Sequence, residues 1–510
     1  MSRWKNQKAV VAILLLILVL VVFLRVFNLG HVLIYDEAWN INSMMDGAKG
    51  YTAESQTSFF GNFYRHPPMY TGLGILYAKA TGTGRDGLSV AMELMSLMFA
   101  ALLVVAIFLC GRDWFGDTAA LVAAFLFALA PAARVYDTFV KQESLTLLFL
   151  MLFLLFFFRS RYLVAGVFLG LAMLTKEIFV FVLLALLIFV LLSRRRVRLI
   201  GYLKSVATGL VLSCWWYVFF SSTTGEFTNF FLGRSTESLN WRQPWYYYIK
   251  NLPHDLGWVF LFLVLTGVIA VGWSLKGTGQ RALMGEDDGP RQNGIFLVVW
   301  IALTYLLLSI SLGKPPWMVY SVLPAFALLA GLGVSEAYRV FSVKYRSIAA
   351  ASVIGVLLLA LGLSVPVGLA SFMKSDRSYL SAQRERQVAD YINRRTGASG
   401  TVALKLADLS PPLAFYLDSY HPGSMTLLPK EATGNELISE GGKSIYLMDS
   451  DVTFDTAKAQ IKSLRPHYLV LRYRSGGAAG DLARSFAALK KPVEIDGVLI
   501  FDSRALLESL

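Results

Sequence analysis

Long apolar runs, most of them ended by basic residues, organise the first 370 residues of this chain. The first run, 9–24, carries no charge and is closed by Arg25. A helix needs about 20 apolar residues to cross a bilayer. On that criterion spans are expected at 9–28, 88–111, 117–133, 143–159, 162–175, 178–193, 199–220, 256–275, 294–312, 317–337 and 347–370, roughly eleven in all. The runs 162–175 and 178–193 are short and separated by Lys176-Glu177, but their combined length suits two crossings. The first span lacks the small-residue cleavage signature of a signal peptide and is expected to be retained.

Two longer segments interrupt the runs. Residues 31–87 are rich in Tyr, Phe, Asn, Gly and Pro and read as a long irregular loop, the kind that commonly carries function. Residues 221–255 contain Trp241, Trp245 and the run Tyr246-Tyr247-Tyr248, which suits an amphipathic segment at the headgroup level. Beyond about Ser371 charge rises and apolar runs shorten. Strand-like runs at 401–404, 444–448, 468–471 and 498–501 alternate with helical patterns at 381–395, 456–464 and 481–489. The expected fold class is an α-helical multi-span membrane protein, residues 1–370, with a small C-terminal extracytoplasmic α/β domain, residues 371–510.

Composition agrees. With 56% hydrophobic and only 16% charged residues, the chain is too apolar for a soluble globule of its length. The net charge of +13 does not point to nucleic acid, because the basic residues sit at the ends of apolar runs. Cys110 and Cys214 both fall inside such runs and read as small core residues, which excludes a disulfide framework. Basic residues at Arg3, Lys5 and Lys8, at Arg112, at Arg159 and Arg161, at 194–198, at 276–291 and at 339–346 mark one set of loops as cytoplasmic. An odd span count then places Asp36, His66, Lys176, Lys314 and the C-terminal domain outside the cell membrane.

Candidate chemistry starts from the acidic pair Asp36-Glu37, just beyond the first span. Charged groups this close to hydrocarbon are costly and usually have a partner or a function. A second compact element, Tyr64-Arg65-His66-Pro67-Pro68, follows, with prolines that stiffen the backbone behind His66. No Gly-rich phosphate loop is present, so an outward-facing transferase needs a donor already in the membrane. A sugar on a polyprenyl phosphate meets that need. Its transfer needs a carboxylate base, assigned to Asp36 with Glu37 assisting, and cations for the departing phosphate. His66, Lys176 and Lys314 are candidates for that role, together with Arg234 and Arg242. Lys176 and Glu177 can instead pair with each other at a hairpin tip.

Taken in order, these elements resemble the membrane glycosyltransferases of the GT-C class, in particular the family 39-like protein O-mannosyltransferase and aminoarabinose-transferase type. The matching pieces are Tyr35-Asp36-Glu37-Ala38, His66-Pro67-Pro68-Met69-Tyr70, Leu174-Thr175-Lys176 and residues 314–324, ending Tyr320-Ser321-Val322-Leu323-Pro324. The resemblance implies an inverting transfer from a polyprenyl-phosphate sugar on the outer face, to a lipid, glycan or protein acceptor. It makes Asp36 the catalytic carboxylate, brings Tyr320 near the donor phosphate and aligns Glu143 loosely with an Asp of the family. Some members carry a divalent metal; this sequence shows no multi-His or multi-carboxylate cluster to hold one. The competing expectation is a transporter or lipid flippase of envelope precursors, although no internal repeat is visible.

Overall fold

In hydrocarbon every backbone polar group must be satisfied within the chain, so apolar sequence of this kind folds as helix. A computed structural model describes residues 2–48, 67–193, 195–224, 243–276, 290–311, 313–364, 377–396, 401–405, 425–427, 444–448, 454–464, 466–472, 478–495 and 498–509. In chain order the first helices are α1 (Ser2–Val26), α2 (Tyr35–Ala48), α3 (Pro68–Thr81), α4 (Arg85–Phe115), α5 (Asp117–Leu129), α6 (Pro131–Tyr136) and α7 (Glu143–Phe158). They are followed by α8 (Tyr162–Met173), α9 (Phe179–Ser193), α10 (Arg196–Thr224), α11 (Tyr247–Leu256), α12 (Trp258–Lys276) and α13 (Pro290–Ile310). A 3-10 segment, Pro316–Val322, leads into α14 (Leu323–Ser364).

The chain divides into two compact units. One comprises Met1–Leu29, His66–Tyr70 and Val90–Phe372; the other comprises Gly30–Arg65, Thr71–Ser89 and Met373–Leu510.

Small residues let the helices of the first unit approach closely, as in membrane bundles generally. A Cβ on Gly267 of α12 would stand 2.0 Å from the carbonyl oxygen of Leu329 on α14, and one on Gly331 of α14 would stand 2.3 Å from that of Ala119 on α5. Aromatic rings fill the space elsewhere. Trp114, Phe158, Phe189, Phe296 and Trp300 form a continuous cluster with centroids 4.9–6.2 Å apart.

The span count differs from expectation. Five helical stretches among the described residues are long and apolar enough to cross a bilayer, or six if α11 and α12 form one broken span. Helices α5, α7, α8 and α9 are apolar but only 12–16 residues long, about 18–24 Å at 1.5 Å per residue. The expected spans 317–337 and 347–370 are not separate. A single helix, α14, runs for 42 residues, about 63 Å, because no Gly or Pro breaks the polar stretch 338–346.

The loop 31–87 is not wholly irregular either: α2 and α3 lie in it. α2 starts with two acidic residues in its first turn, and α3 starts on Pro68, both favoured helix openings. Within 221–255, Tyr247–Leu256 is a helix, set at 111° to α12 through Gly257, whose φ of 84° suits glycine. Cys110 is buried as expected. Cys214 is instead exposed on α10.

The C-terminal part contains α15 (Arg377–Thr396), β1 (Thr401–Lys405), β2 (Met425–Leu427), β3 (Ser444–Met448), α16 (Phe454–Leu464) and β4 (Tyr468–Arg472). It ends with α17 (Ala478–Leu489), β5 (Val493–Ile495), β6 (Val498–Asp502) and α18 (Ser503–Leu507). The strands form one sheet in the order β2-β3-β1-β4-β6-β5. The pairs β2–β3, β3–β1 and β1–β4 are parallel; β4–β6 and β6–β5 are antiparallel. Leu469, Leu471, Leu499 and Phe501 from the sheet pack with Ile461 and Phe486 from the helices, so this part has its own core.

Candidate functional site

The site starts at Arg25, the charge that closes the first apolar run. It is fully buried in the last turn of α1. Its Nε donates to Asp137 Oδ2 at 2.6 Å, and its Nη1 donates to the carbonyl of Ala128 at 3.0 Å. Asp137, directly after α6, is also fully buried. The Tyr320 hydroxyl, from the 3-10 segment, donates to Asp137 Oδ1. With that proton committed, the Tyr320 oxygen accepts from the Ser144 hydroxyl at 3.1 Å. Burial pushes the Asp137 carboxyl up, while Arg25, Tyr320 and Ser144 act against it.

Ser144 stands beside Glu143, the first residue of α7. Glu143 Oε1 accepts from Lys176 Nζ at 2.6 Å, and both side chains are buried. The pairing of Lys176 with Glu177 weighed from sequence is therefore not the one seen; Lys176 turns to a carboxylate 33 positions earlier. The backbone N–H of Met69 donates to the carbonyl of Leu174 at 2.9 Å, which ties the start of α3 to this corner. In the same loop, the Lys141 ammonium lies 3.7 Å above the ring of Trp317.

Lys314 precedes the 3-10 segment and is buried. Its ammonium donates to the carbonyl of Ser311, the partner shown for it among the described residues. Burial pulls this ammonium below the ordinary lysine range. Tyr248, from the tyrosine run, packs inward. It is buried, and its hydroxyl donates to the carbonyl of Pro315 at 2.9 Å.

One unbroken chain of contacts therefore joins Arg25, Asp137, Tyr320 and Ser144, runs on through the next residue, Glu143, to Lys176, and has Lys141, Trp317 and Lys314 on its flanking segments. Of the residues expected from sequence, it contains Glu143, Lys176 and Tyr320, and Lys314 lies beside it on the segment that leads to Tyr320. Arg25, Asp137, Ser144 and Lys141 were not expected to take part.

Asp36 and Glu37 belong to the other unit, in the first turn of α2. Glu37 is buried; both its oxygens lie 3.0 Å from His31 Nε2, and Oε2 also accepts from the backbone N–H of Ile34 at 3.0 Å. That reach back to the helix start is a capping contact, which gives Glu37 a structural task. Asp36 is half-buried in the same turn. Tyr64, Arg65, His66, Arg234 and Arg242 lie outside the described residues. Among the described residues no three His, Cys, Asp or Glu side chains gather as a metal site.

The helical architecture has known counterparts. Residues 65–217 match the family profile "Dolichyl-phosphate-mannose-protein mannosyltransferase". The chain has the fold of the GT-C membrane glycosyltransferases. It is similar to ArnT from Cupriavidus metallidurans in the apo state, with a TM-score of 0.60 at 16% identity over 99% of both chains. The same enzyme bound to undecaprenyl phosphate superposes with a TM-score of 0.63 at 16% identity over 98% of both chains. The archaeal oligosaccharyltransferase AglB from Archaeoglobus fulgidus, in complex with an inhibitory peptide and a dolichol-phosphate, is similar at a TM-score of 0.56 and 12% identity, over 92% of this chain and 70% of that one. At these identities the likeness is one of fold. No curated protein sequence matches the chain.

Proposed function

We propose that this chain is an inverting glycosyltransferase that moves a sugar from a polyprenyl-phosphate donor to an acceptor on the extracytoplasmic side of the membrane. Residues 1–370 form its membrane domain and 371–510 its outer α/β domain. In the reaction Asp36 takes the proton of the acceptor hydroxyl as its oxygen attacks the anomeric carbon. The bond from that carbon to the phosphate oxygen breaks, and polyprenyl phosphate leaves with the electron pair. Lys314 and Lys176 stabilise the departing charge. His66, Arg65, Tyr64, Arg234 and Arg242 remain candidates for donor contacts.

The observation that carries this reading is Lys314. A buried ammonium facing a neutral carbonyl is costly and is relieved by an anion. The known structures of this fold that hold undecaprenyl phosphate or dolichol-phosphate supply the anion's class. The test is donor turnover by the purified protein. Lys314→Ala raises the donor KM by about ten- to a hundredfold, the worth of a hydrogen bond to a charged group. The pH dependence has a definite sign. Because the Lys314 ammonium is held below its ordinary range, it loses its proton sooner as pH rises, so the donor KM climbs on the alkaline side. Lys314→Arg stays charged and flattens that climb. An unchanged KM in Lys314→Ala overturns the reading.

Sidedness is read separately in intact cells, with Cys214 replaced by Ser. A membrane-impermeant thiol reagent labels Lys490→Cys, exposed after α17, and leaves Arg196→Cys, exposed at the start of α10, unmodified. The reverse pattern inverts the orientation.

A further inference from the structure

The proposed transfer leaves one buried charge cluster unused: Arg25, Asp137 and the Ser144 hydroxyl. We propose that Asp137 is a positioning residue, which acts through the Tyr320 hydroxyl to hold the segment carrying Lys314 in register with the Glu143–Lys176 pair. This inference rests on the polyprenyl-phosphate reading above.

The argument starts from the weakness of the segment itself. Residues Pro316–Val322 form a single 3-10 stretch, and Pro315 and Pro316 have no N–H to give. Hydrogen bonds of 3-10 type are poorly aligned, so such a stretch relies on side-chain anchors. The most deeply buried of these is Tyr320 on Asp137, with neither residue exposed. A second is the Tyr248 hydroxyl on the carbonyl of Pro315, and a third is Lys141 on the Trp317 ring. Lys314 is joined to this segment through Pro315 and cannot be placed more accurately than the segment is.

Asp137 is suited to be the reference point because its two oxygens are divided between two jobs. Oδ2 is held by Arg25, which is itself anchored to the carbonyl of Ala128 on α5. Oδ1 accepts from the Tyr320 hydroxyl, and the Ser144 hydroxyl also stabilises this carboxylate. Tyr320 in turn orients Ser144, the neighbour of Glu143, which fixes Lys176. One carboxylate thus sets the position of two ammonium groups on separate elements. A phosphate held by both would register a displacement of either, since misplacement of about 1 Å is enough to cost a hundredfold.

The experiment measures undecaprenyl phosphate affinity, donor KM and kcat on the purified full-length protein. Tyr320→Phe is the main variant: it keeps the ring and the Arg25–Asp137 ion pair and removes one hydroxyl. Asp137→Asn is the second, and the double variant completes the cycle. The expected result is an affinity loss and a donor KM rise of about tenfold or more in each single variant. The kcat stays near wild type, and the double variant is no worse than the poorer single. If Asp137→Asn fails to fold because Arg25 is left as an unpaired buried charge, Tyr320→Phe alone decides the matter. Wild-type affinity in Tyr320→Phe, where Lys314→Ala loses binding, overturns the positioning role and leaves the lysine reading standing. Additive losses, or a fall in kcat at constant KM, also overturn it. Failure of the wild-type protein to bind undecaprenyl phosphate removes both.

Discussion

Asp36→Asn sharply slows sugar transfer by the purified protein while undecaprenyl phosphate binding and thermal stability are retained. Asn has the size of Asp and can still accept a hydrogen bond at the start of α2, but it cannot take a proton from the attacking hydroxyl. General-base catalysis is worth about a hundred- to ten-thousandfold, so the loss lies in that range and falls on kcat. Glu37→Gln behaves differently. Its carboxylate is occupied by His31 and by the N–H of Ile34, so its loss is read mainly as lowered stability. Turnover near wild type in Asp36→Asn, or equal loss of kcat in both variants at unchanged stability, removes the assignment of the base to Asp36.

Gly267→Val prevents the membrane unit from assembling. The new Cβ would stand 2.0 Å from the carbonyl oxygen of Leu329, a backbone atom that no rotamer change can move. Helices α12 and α14 must then separate, and Gly333, whose own Cβ would stand 2.5 Å from the backbone nitrogen of Gly267, loses its fit as well. Overpacking typically costs about 1–3 kcal/mol, occasionally more, and a backbone-to-backbone clash belongs at the upper end. In a bilayer no hydrophobic gain offsets it, because close packing is itself what joins the helices. Gly272→Ala on the same helix is the control: nothing lies within 4 Å of its new methyl group, and alanine favours helix. Size-exclusion profile and Tm in detergent separate the two variants, and a monodisperse Gly267→Val protein of wild-type Tm would refute this packing account.

Hydropathy located the helices well, and the ends of α7, α8 and α9 fall within about two residues of the expected ones. It scores apolarity over a window, so α7, α8 and α9 look like full spans although each is shorter than a bilayer core. It also saw a break at 338–346, where charge interrupts the apolar run but nothing stops the backbone. The signals for α2 and α3 were present, as acids in a first turn and a proline at a first helical position, inside a stretch whose composition otherwise reads as loop. The strand-like runs 401–404, 444–448, 468–471 and 498–501 coincide with β1, β3, β4 and β6, because short β-branched and aromatic runs between helical patterns are a local property. The three-residue strands β2 and β5 were too short to register.

The site divides along the same line. Glu143, Lys176, Lys314 and Tyr320 each stood out one at a time. The partnership of Arg25 with Asp137 spans 112 positions and that of Asp137 with Tyr320 spans 183, and neither leaves a local trace. The only hint was Arg25 itself, a lone cation closing an uncharged run, which membrane energetics marks as needing a counter-charge.

The contact from Glu37 back to Ile34 also fixes the order of the two acids. Glu37 spans the distance to a main-chain nitrogen three residues earlier, a stretch that the extra methylene of glutamate covers and aspartate would not. Asp-Glu and Glu-Asp are isomeric dipeptides with the same charge and atoms, yet only the first puts the longer arm where the helix opening must be sealed. At this turn side-chain length, rather than acidity, decides which of the two acids seals the helix.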